Sequence, residues 1–506
     1  LWGAAARARR QRSVKVSFSM LFSKSISVSG RLVHAASVFY LLLPAVLFAF
    51  GWLRAIWLLP VLAVLALCGF TLVRSYWQKG GSVQLSVWYM LLCAAAVLVW
   101  LAFSGIGGFS YQNLDYYVRN PILNDLTHFS WPLRYDLSAQ PDAVQALCGS
   151  DPVGFVYYFV FWLPAAALGK VFGAAQLWLF VWCFAGLMLV LLQLQLYLQK
   201  QSLLIPVVFM GFSGLDCIPF FVQEGFVKTG HMEWWAGHFF QYSSNTTLLY
   251  WVFNQAIPLW LIVGLLLNLG SRNGGAALCS LSFLYSPFAT FGMIPIALCA
   301  VKKNGLGRTL RTAANWLTPA LMLGVWGSFY LSKPGSLGAN GWIFALGGIS
   351  AVKWYFPFVL LEVGVYLLLL RRQLLCYDYL WICAVELVLI PLYKLTDAND
   401  FCMRASIPAL LILCISVIRY LLEHKNKTCL ALALCLVIGM ATPCAEVLRS
   451  VKFTLSGKPD ANLVGDSFAA MTLDKYEYAE DLVTTVNNQF FAHDWQDSLF
   501  EKYLGK

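Results

Sequence analysis

The chain has 506 residues, of which 60% are hydrophobic and only 12% are charged. A soluble domain carries about 25% charged residues, so this composition excludes an ordinary water-exposed surface and indicates a surface in contact with lipid. The formal net charge of +11 lies in short loops between apolar runs, which favours a role in membrane topology over nucleic-acid binding.

The apolar runs divide the chain into four parts. Residues 1–34 are basic, and we expect them to lie in the cytoplasm. Two apolar runs within residues 35–87 predict an N-terminal transmembrane hairpin. Residues 88–447 hold the remaining runs and form the predicted transmembrane core. The polar, slightly acidic tail at 448–506 is expected on the extracytoplasmic side.

The topology depends on the apolar segment 153–172. If this segment spans the membrane, Lys200 lies outside and the later basic loops change sides. If it lies in the outer interface, and 276–301 is a hairpin broken at Ser286 and Pro287, every basic loop falls on the side of the N-terminus. The positive-inside rule favours the second arrangement.

The second arrangement predicts an all-α polytopic membrane protein with about 13 transmembrane helices, its N-terminus inside and its C-terminus outside. The outer loops are then 106–173, 216–246, 332–352 and 394–404.

The first outer loop holds the first group of candidate residues. Asp115 follows the end of its span by about ten residues, which places it near the bilayer surface. A carboxylate there could take a proton from a hydroxyl group or hold a metal ion. Arg119 follows four residues later and could contact a phosphate. The alternative is a solvated loop in which aspartates cap short helices.

The second outer loop begins with an acidic residue in an apolar setting. Asp216 lies inside the apolar stretch 203–222, and ionisable residues at membrane depth usually serve a function. Glu224, His231 and Glu233 follow. The i, i+2 spacing of His231 and Glu233 does not place them on one helical face, so it does not favour a metal cluster.

The last outer loop carries cations at the mouth of two spans. Lys394 and Arg404 flank a short turn, and Arg404 begins a helix. An arginine in this position could bind a phosphate in bidentate fashion. The alternative is an interfacial arginine that extends to lipid headgroups.

These segments together resemble the GT-C superfamily of glycosyltransferases. Its members are polytopic enzymes that use polyprenyl-phosphate-linked sugar donors on the extracytoplasmic face. The resemblance covers residues 88–447 and rests on three motifs. These are QNLDYY at 112–117, SGLD at 213–216 and MRASIPAL at 403–410.

The resemblance implies a catalytic role for Asp115 and a lipid-phosphate contact for Arg404. It also implies interfacial helices in the first outer loop. Two departures stand out. Tyr116 follows Asp115 where some branches have an adjacent Asp-Glu pair, and Asp216 stands without the spaced acidic pair of the metal-dependent branch. No metal ligand is therefore assigned, and a divalent metal cofactor is left open.

The implied activity is transfer of a sugar from a polyprenyl-phosphate carrier to a glycan, lipid or protein acceptor at the outer face of a bacterial plasma membrane. Asp115 would be the general base. The predicted substrate- and phosphate-binding residues are Arg404, Lys394, Arg119, Asp216, Glu224, His231 and Glu233.

Two other functions stay open. A flippase or transporter for lipid-linked glycans would share the substrates, but the sequence has no inverted repeat of the kind many transporters show. A polysaccharide polymerase with two arginine-bearing loops would use Arg119, Arg134 and Arg404. The long first outer loop favours the glycosyltransferase.

Overall fold

The computed structural model describes residues 25–136, 138, 152–224, 232–237, 239–333, 340–396, 399–457, 467–468, 490–492 and 494–506. Most of these residues are helical, and the strands are short, so the predicted helical membrane fold is confirmed at this level.

The first half of the chain contains nine helices within the described residues. They are α1 Gly30–Trp52, α2 Ala55–Lys79, α3 Val87–Ala102, α4 Tyr116–His128, α5 Leu163–Phe172, α6 Ala175–Leu198, α7 Leu204–Gly211, α8 Cys217–Glu224 and α9 Asn245–Leu269.

The second half is more finely divided. Its described helices are α10 Gly275–Ser280, α11 Ser282–Tyr285, α12 Pro287–Asn304, α13 Leu306–Arg311, α14 Ala314–Leu321, α15 Ser328–Tyr330, α16 Ile343–Val359, α17 Val365–Leu369, α18 Leu380–Leu389, α19 Asp400–Ala405, α20 Ile407–Glu423, α21 Lys427–Gly439, α22 Ala441–Ser456 and α23 Leu499–Tyr503.

Three small antiparallel sheets join loops at the ends of the helices. Strand β1 pairs with β2, β4 lies between β3 and β7, and β5 pairs with β6. Their bounds are β1 Ser25–Ser29, β2 Ser82–Ser86, β3 Arg134–Tyr135, β4 Val153–Phe155, β5 Gly341–Trp342, β6 Tyr393–Lys394 and β7 Phe491–Ala492. In β2 the buried Val83 and Leu85 alternate with more exposed residues, as the two-residue period of a strand requires.

Among the described residues, six helical segments are long and apolar enough to cross a bilayer. They are Gly30–Trp52, Ala55–Lys79, Ala175–Leu198, Asn245–Leu269, Ile343–Leu369 and Lys427–Ser456. Other apolar runs are divided into shorter helices, so the number of about 13 spans, with its orientation, stays a prediction.

Helix α9 is the centre of the bundle. Its most apolar 18-residue window is completely buried by the surrounding helices. It packs against α6, α20 and α22, and its backbone bends at Val252. The loops described below therefore lie around this enclosed helix.

The apolar segment 276–301 turns back on itself, as the sequence predicts. Pro287 is the first residue of α12, and the Ser286 hydroxyl accepts a hydrogen bond from the Ala289 amide at 3.2 Å. A capping serine followed by a proline ends one helix and begins the next. A Cβ on Gly275 would lie 3.0 Å from the Cβ of Ala300, so the two arms pack side by side.

The segment 153–172 does not form one long helix. It contains β4, and its helical part, Val160–Phe172, is one of the shorter apolar helices. Thirteen residues rise about 20 Å, whereas the hydrocarbon core is about 30 Å thick. The length is consistent with the predicted interfacial position.

The basic loops meet at one end of the bundle. Lys79 donates to the Asn268 carbonyl oxygen at 2.6 Å, and Lys200 donates to the Leu422 carbonyl oxygen at 2.8 Å. Lys303 forms an ion pair with Asp378 in the same region. We call this the basic end. The loop after α3, the α1–α2 turn and α19 lie at the opposite end, which we call the site end.

Candidate functional site: two arginines and a carboxylate at the site end

The loop after α3 is held rigidly against its neighbours. Gly105 has a φ of +86°, which an L-residue rarely adopts, and its carbonyl oxygen accepts a hydrogen bond from Gln112 Nε2 at 3.0 Å. Asn113 Nδ2 donates to the Tyr250 carbonyl oxygen on α9 at 3.0 Å. The Asp115 amide donates to Asn113 Oδ1 at 3.0 Å. The QNLD residues therefore fix the position of Asp115.

Asp115 lies directly before α4, but its side chain makes no capping hydrogen bond. Its Oδ2 instead forms an ion pair with Arg119 Nη2 at 2.6 Å, one helical turn away. The Arg119 guanidinium carbon lies 5.5 Å from the Tyr116 ring centroid and 5.2 Å from that of Phe253. The helix-capping alternative is therefore wrong for Asp115.

Arg404 reaches the same site from α19. Asn399 caps this helix, and Asp400 in its first turn forms an ion pair with Arg404 at 3.1 Å. The guanidinium carbon lies 5.9 Å from the centroid of the Tyr158 ring. The Arg404 side chain is only 12% exposed. An arginine extending to lipid headgroups would be more exposed, so the low exposure does not favour that alternative.

These residues act on one another electrostatically. Burial raises the pKa of Asp115, although the charges of Arg119 and Arg404 oppose this rise. Burial, together with the nearby charge of Arg404, lowers the pKa of Lys333 to about 8. We define the arginine site as Asp115, Arg119, Tyr157, Tyr158, Lys333, Asp400 and Arg404.

The charged side chains of the arginine site differ in their exposure to solvent. The Asp115 side chain is 41% exposed, whereas that of Arg119 is 8% exposed. Protein surrounds Asp115, but water reaches its carboxylate, which limits the effect of burial on its pKa. The site thus offers a carboxylate to an incoming molecule and encloses the two guanidinium groups.

Lys394 lies next to an aromatic ring of the second predicted outer loop. Its side chain belongs to β6, and its ammonium lies 5.0 Å from the Phe239 ring centroid. Asn399 Nδ2 donates to the Phe239 carbonyl oxygen in the same region. A phosphate contact by Lys394 stays a prediction.

Asp216 and Glu233 form a second cluster with Glu362, and each side chain is at most 2% exposed. Asp216 Oδ1 accepts from Thr442 at 2.8 Å. Glu233 Oε1 accepts from the Ser244 amide at 2.9 Å. Burial raises the pKa of Glu233, and the Asp216 charge raises it further. The sequence around Asp216 lacks a spaced acidic pair, but chain folding brings two distant glutamates beside it.

Sequence reasoning missed four contributors to these clusters. Glu362 is an acidic residue within an apolar helical segment, and that feature alone could have identified it. Tyr157 and Tyr158 carry no comparable signal, since aromatic residues are common throughout the chain. Lys333 carries none either, because a single lysine in a polar loop is ordinary. His231 and the side chain of Glu224 lie outside the described residues.

The residues of the arginine site do not fit a divalent cation. Asp115 and Asp400 are each paired with a guanidinium group, and the positive charges of Arg119 and Arg404 oppose the binding of a cation. Elsewhere in the described ranges, no group of three or more His, Cys, Asp or Glu side chains is arranged to hold a metal ion.

Comparisons with family models, with curated proteins and with solved structures gave no match to this chain. The function is therefore argued from the geometry of the site.

Proposed function

We propose that the chain is a GT-C-type glycosyltransferase that moves a sugar from a polyprenyl-phosphate carrier to a glycan, lipid or protein acceptor. The observation that carries this proposal is a pair of enclosed guanidinium groups with unused donors beside an accessible carboxylate. Within the described residues, Arg119 Nη1 and Arg404 Nε are buried and have no hydrogen-bond acceptor.

A phosphate group suits these unused donors. A buried N–H group without an acceptor costs about 1–3 kcal/mol, and more when it is charged. Phosphate oxygens accept short, charge-assisted hydrogen bonds from guanidinium groups, often from two donors at once. The aromatic rings around both arginines exclude water and strengthen this attraction.

In the proposed mechanism Asp115 acts as the general base. In the proposed reaction its carboxylate takes the proton of the acceptor hydroxyl group while that oxygen bonds to the anomeric carbon of the sugar. The bond from this carbon to the phosphate oxygen breaks, and the lipid phosphate leaves with the bonding electrons. Arg119 and Arg404 stabilise the negative charge of the leaving group.

The proposed orientation follows the positive-inside rule. The basic end faces the cytoplasm, and the arginine site faces the outside of a bacterial plasma membrane, among about 13 spans. Asp216, Glu224, His231, Glu233 and Lys394 then belong to outer loops that bind the acceptor or the donor.

Transfer in proteoliposomes tests the proposal. The purified protein is offered polyprenyl-phosphate sugars and membrane-glycan acceptors, with Asp115→Asn and Arg404→Ala beside the wild type. Arg419→Ala is the matched control, because Arg419 also pairs with a carboxylate one turn away, Glu423, at the basic end. We expect transfer by the wild type and the control, and its loss in both site variants.

Full transfer by Asp115→Asn at normal expression would contradict the role of Asp115. Movement of the carrier to the other leaflet with its sugar attached would favour a flippase instead. The polymerase hypothesis receives less support, since Arg134 pairs with Glu501 at 2.6 Å and does not belong to the arginine site.

A further inference from the structure

A three-stranded sheet joins distant parts of the chain beside the arginine site. Strand β4 pairs with β3 on one edge and with β7 on the other. Beyond β4, the Val156 amide donates to the Phe490 carbonyl oxygen at 2.8 Å, which extends the pairing. Tyr157 and Tyr158 follow immediately, and Tyr158 lies beneath Arg404. The strand therefore leads directly into the site.

Residues 494–506 fasten this sheet to the α1–α2 turn. The Arg54 guanidinium donates to the carbonyl oxygens of Glu501 at 2.6 Å and Lys502 at 2.8 Å. The Arg54 amide donates to the Leu504 carbonyl oxygen at 2.9 Å. The Glu501 carboxylate pairs with Arg134 of β3. One short segment is thus bonded to both the turn and the sheet.

Aromatic rings continue this connection as far as Arg404. A Cβ on Gly154 would lie only 2.3 Å from Cδ2 of Trp495, so the indole packs directly on the glycine backbone. The Phe490 ring centroid lies 4.9 Å from that of Tyr157, which lies 3.8 Å from that of Tyr158. Such contacts transmit displacement because close-packed interiors are stiff.

We propose that residues 490–492 and 494–506, which we call the latch, are a positioning element that holds Tyr157 and Tyr158 against Arg404. A two-stranded pair as short as β3–β4 is only marginally stable without further packing. Strand β7 adds a third strand, and Arg54 anchors residues 501–504 of the same element. The latch thereby sets the shape of the arginine site without touching the ligand. This inference holds for any anion that the site binds.

Hydrogen–deuterium exchange of the full-length protein in detergent tests the latch. In Gly154→Ala the added methyl group displaces Trp495. In Arg54→Ala the bonds to the carbonyl oxygens of residues 501 and 502 are lost, while β4 is untouched. We expect amides of residues 155–160 to exchange at least about tenfold faster in either variant, since local opening sets exchange. Gly307→Ala is the control, because a Cβ there has open space.

Binding of farnesyl phosphate provides the positioning readout. We expect Gly154→Ala to weaken binding about tenfold in the wild-type background and to have little further effect in a Tyr158→Ala background, because contacting residues couple. Unchanged exchange at 155–160 in both variants would overturn the proposal, as would an equal loss of affinity in both backgrounds. Failure of the wild type to bind farnesyl phosphate would count against the proposed function alone, and the exchange result would still decide the latch.

Discussion

Trp235 and Glu362 are joined by a hydrogen bond of 2.8 Å from the indole Nε1 to the carboxyl Oε1. Glu362 lies in the π-helical turn Leu360–Gly364, inside the apolar segment Ile343–Leu369. The bond therefore ties the segment after α8 to a candidate membrane span. Single π-helical turns within helices are frequent at functional sites, which agrees with the carboxylates gathered here.

Replacing Glu362 tests how much this bond stabilises the fold. Glu362→Ala leaves the buried Trp235 N–H group without its acceptor, which costs about 1–3 kcal/mol. We expect a lower thermal unfolding midpoint in detergent. Glu362→Gln is the control, because its amide oxygen can still accept the bond. An unfolding midpoint for Glu362→Ala equal to that of the wild type would show that the bond contributes little.

Glu233 makes stability depend on pH. Its pKa in the folded protein is raised by burial and by Asp216 above the ordinary value of 4.5. The protonated form therefore stabilises the fold fully below pH 4.5, and this stabilisation is lost as the pH rises through the raised pKa. Each unit between the two pKa values is worth about 1.4 kcal/mol.

We expect the thermal unfolding midpoint to decrease as the pH rises from 5 to 8. The decrease should be smaller in Glu233→Gln, because this variant lacks the Glu233 contribution of ~1.4 kcal/mol per pKa unit. Glu423→Gln is the control, since Glu423 is 38% exposed at the basic end. If the unfolding midpoint decreases equally in Glu233→Gln and the wild type, its pH dependence comes from other groups.

The loop before Asp115 depends on Gly105. A Cβ at this position would lie 2.9 Å from the Tyr111 carbonyl oxygen, and the φ of +86° adds roughly 1–2 kcal/mol of strain for an L-residue. We expect Gly105→Ala to lower both stability and transfer. Gly108→Ala shares the positive φ of +75° but has open space for the methyl group. Equal effects of the two variants would show that the close contact is unimportant.

We predict that the proposed role of Arg404 requires a guanidinium group and not only a positive charge. Arg404→Lys keeps the charge but lacks the Nε donor and the planar fork that binds two oxygens. We expect a loss of transfer of about 10²–10³-fold, as for removal of one preorganised donor to a developing anion. A lysine variant with wild-type activity would mean that Arg404 acts only through its charge.

Sequence patterns predicted the gathering of Asp115, Arg119 and Arg404, because each follows or begins an apolar run at the same end of the bundle. They did not reveal that Asp400 completes an ion pair there, or that Tyr158 lies beneath Arg404. These contacts depend on how the residues after β4 pack against α19 in the folded chain. No local sequence pattern encodes this packing.

Hydropathy also could not resolve how the apolar runs are divided. The positive-inside rule predicted the break at Ser286, whereas a sliding hydropathy average registers neither this break nor the π-helical turn around Glu362, because both lie among apolar residues. The same averaging concealed Glu362 itself. Its partner Trp235 lies in a different loop, so the pairing needed the folded chain to become visible.

The complete enclosure of α9 has a consequence for the order of assembly. During membrane insertion this helix must first face lipid, where Asn254, Gln255 and Asn268 would be costly. In the folded chain Asn268 is satisfied by the Gln193 carbonyl oxygen of α6 at 2.9 Å. We therefore expect helices α1 to α6 to associate in the membrane before α9 joins them, and α9 to become stable only after the later helices pack around it.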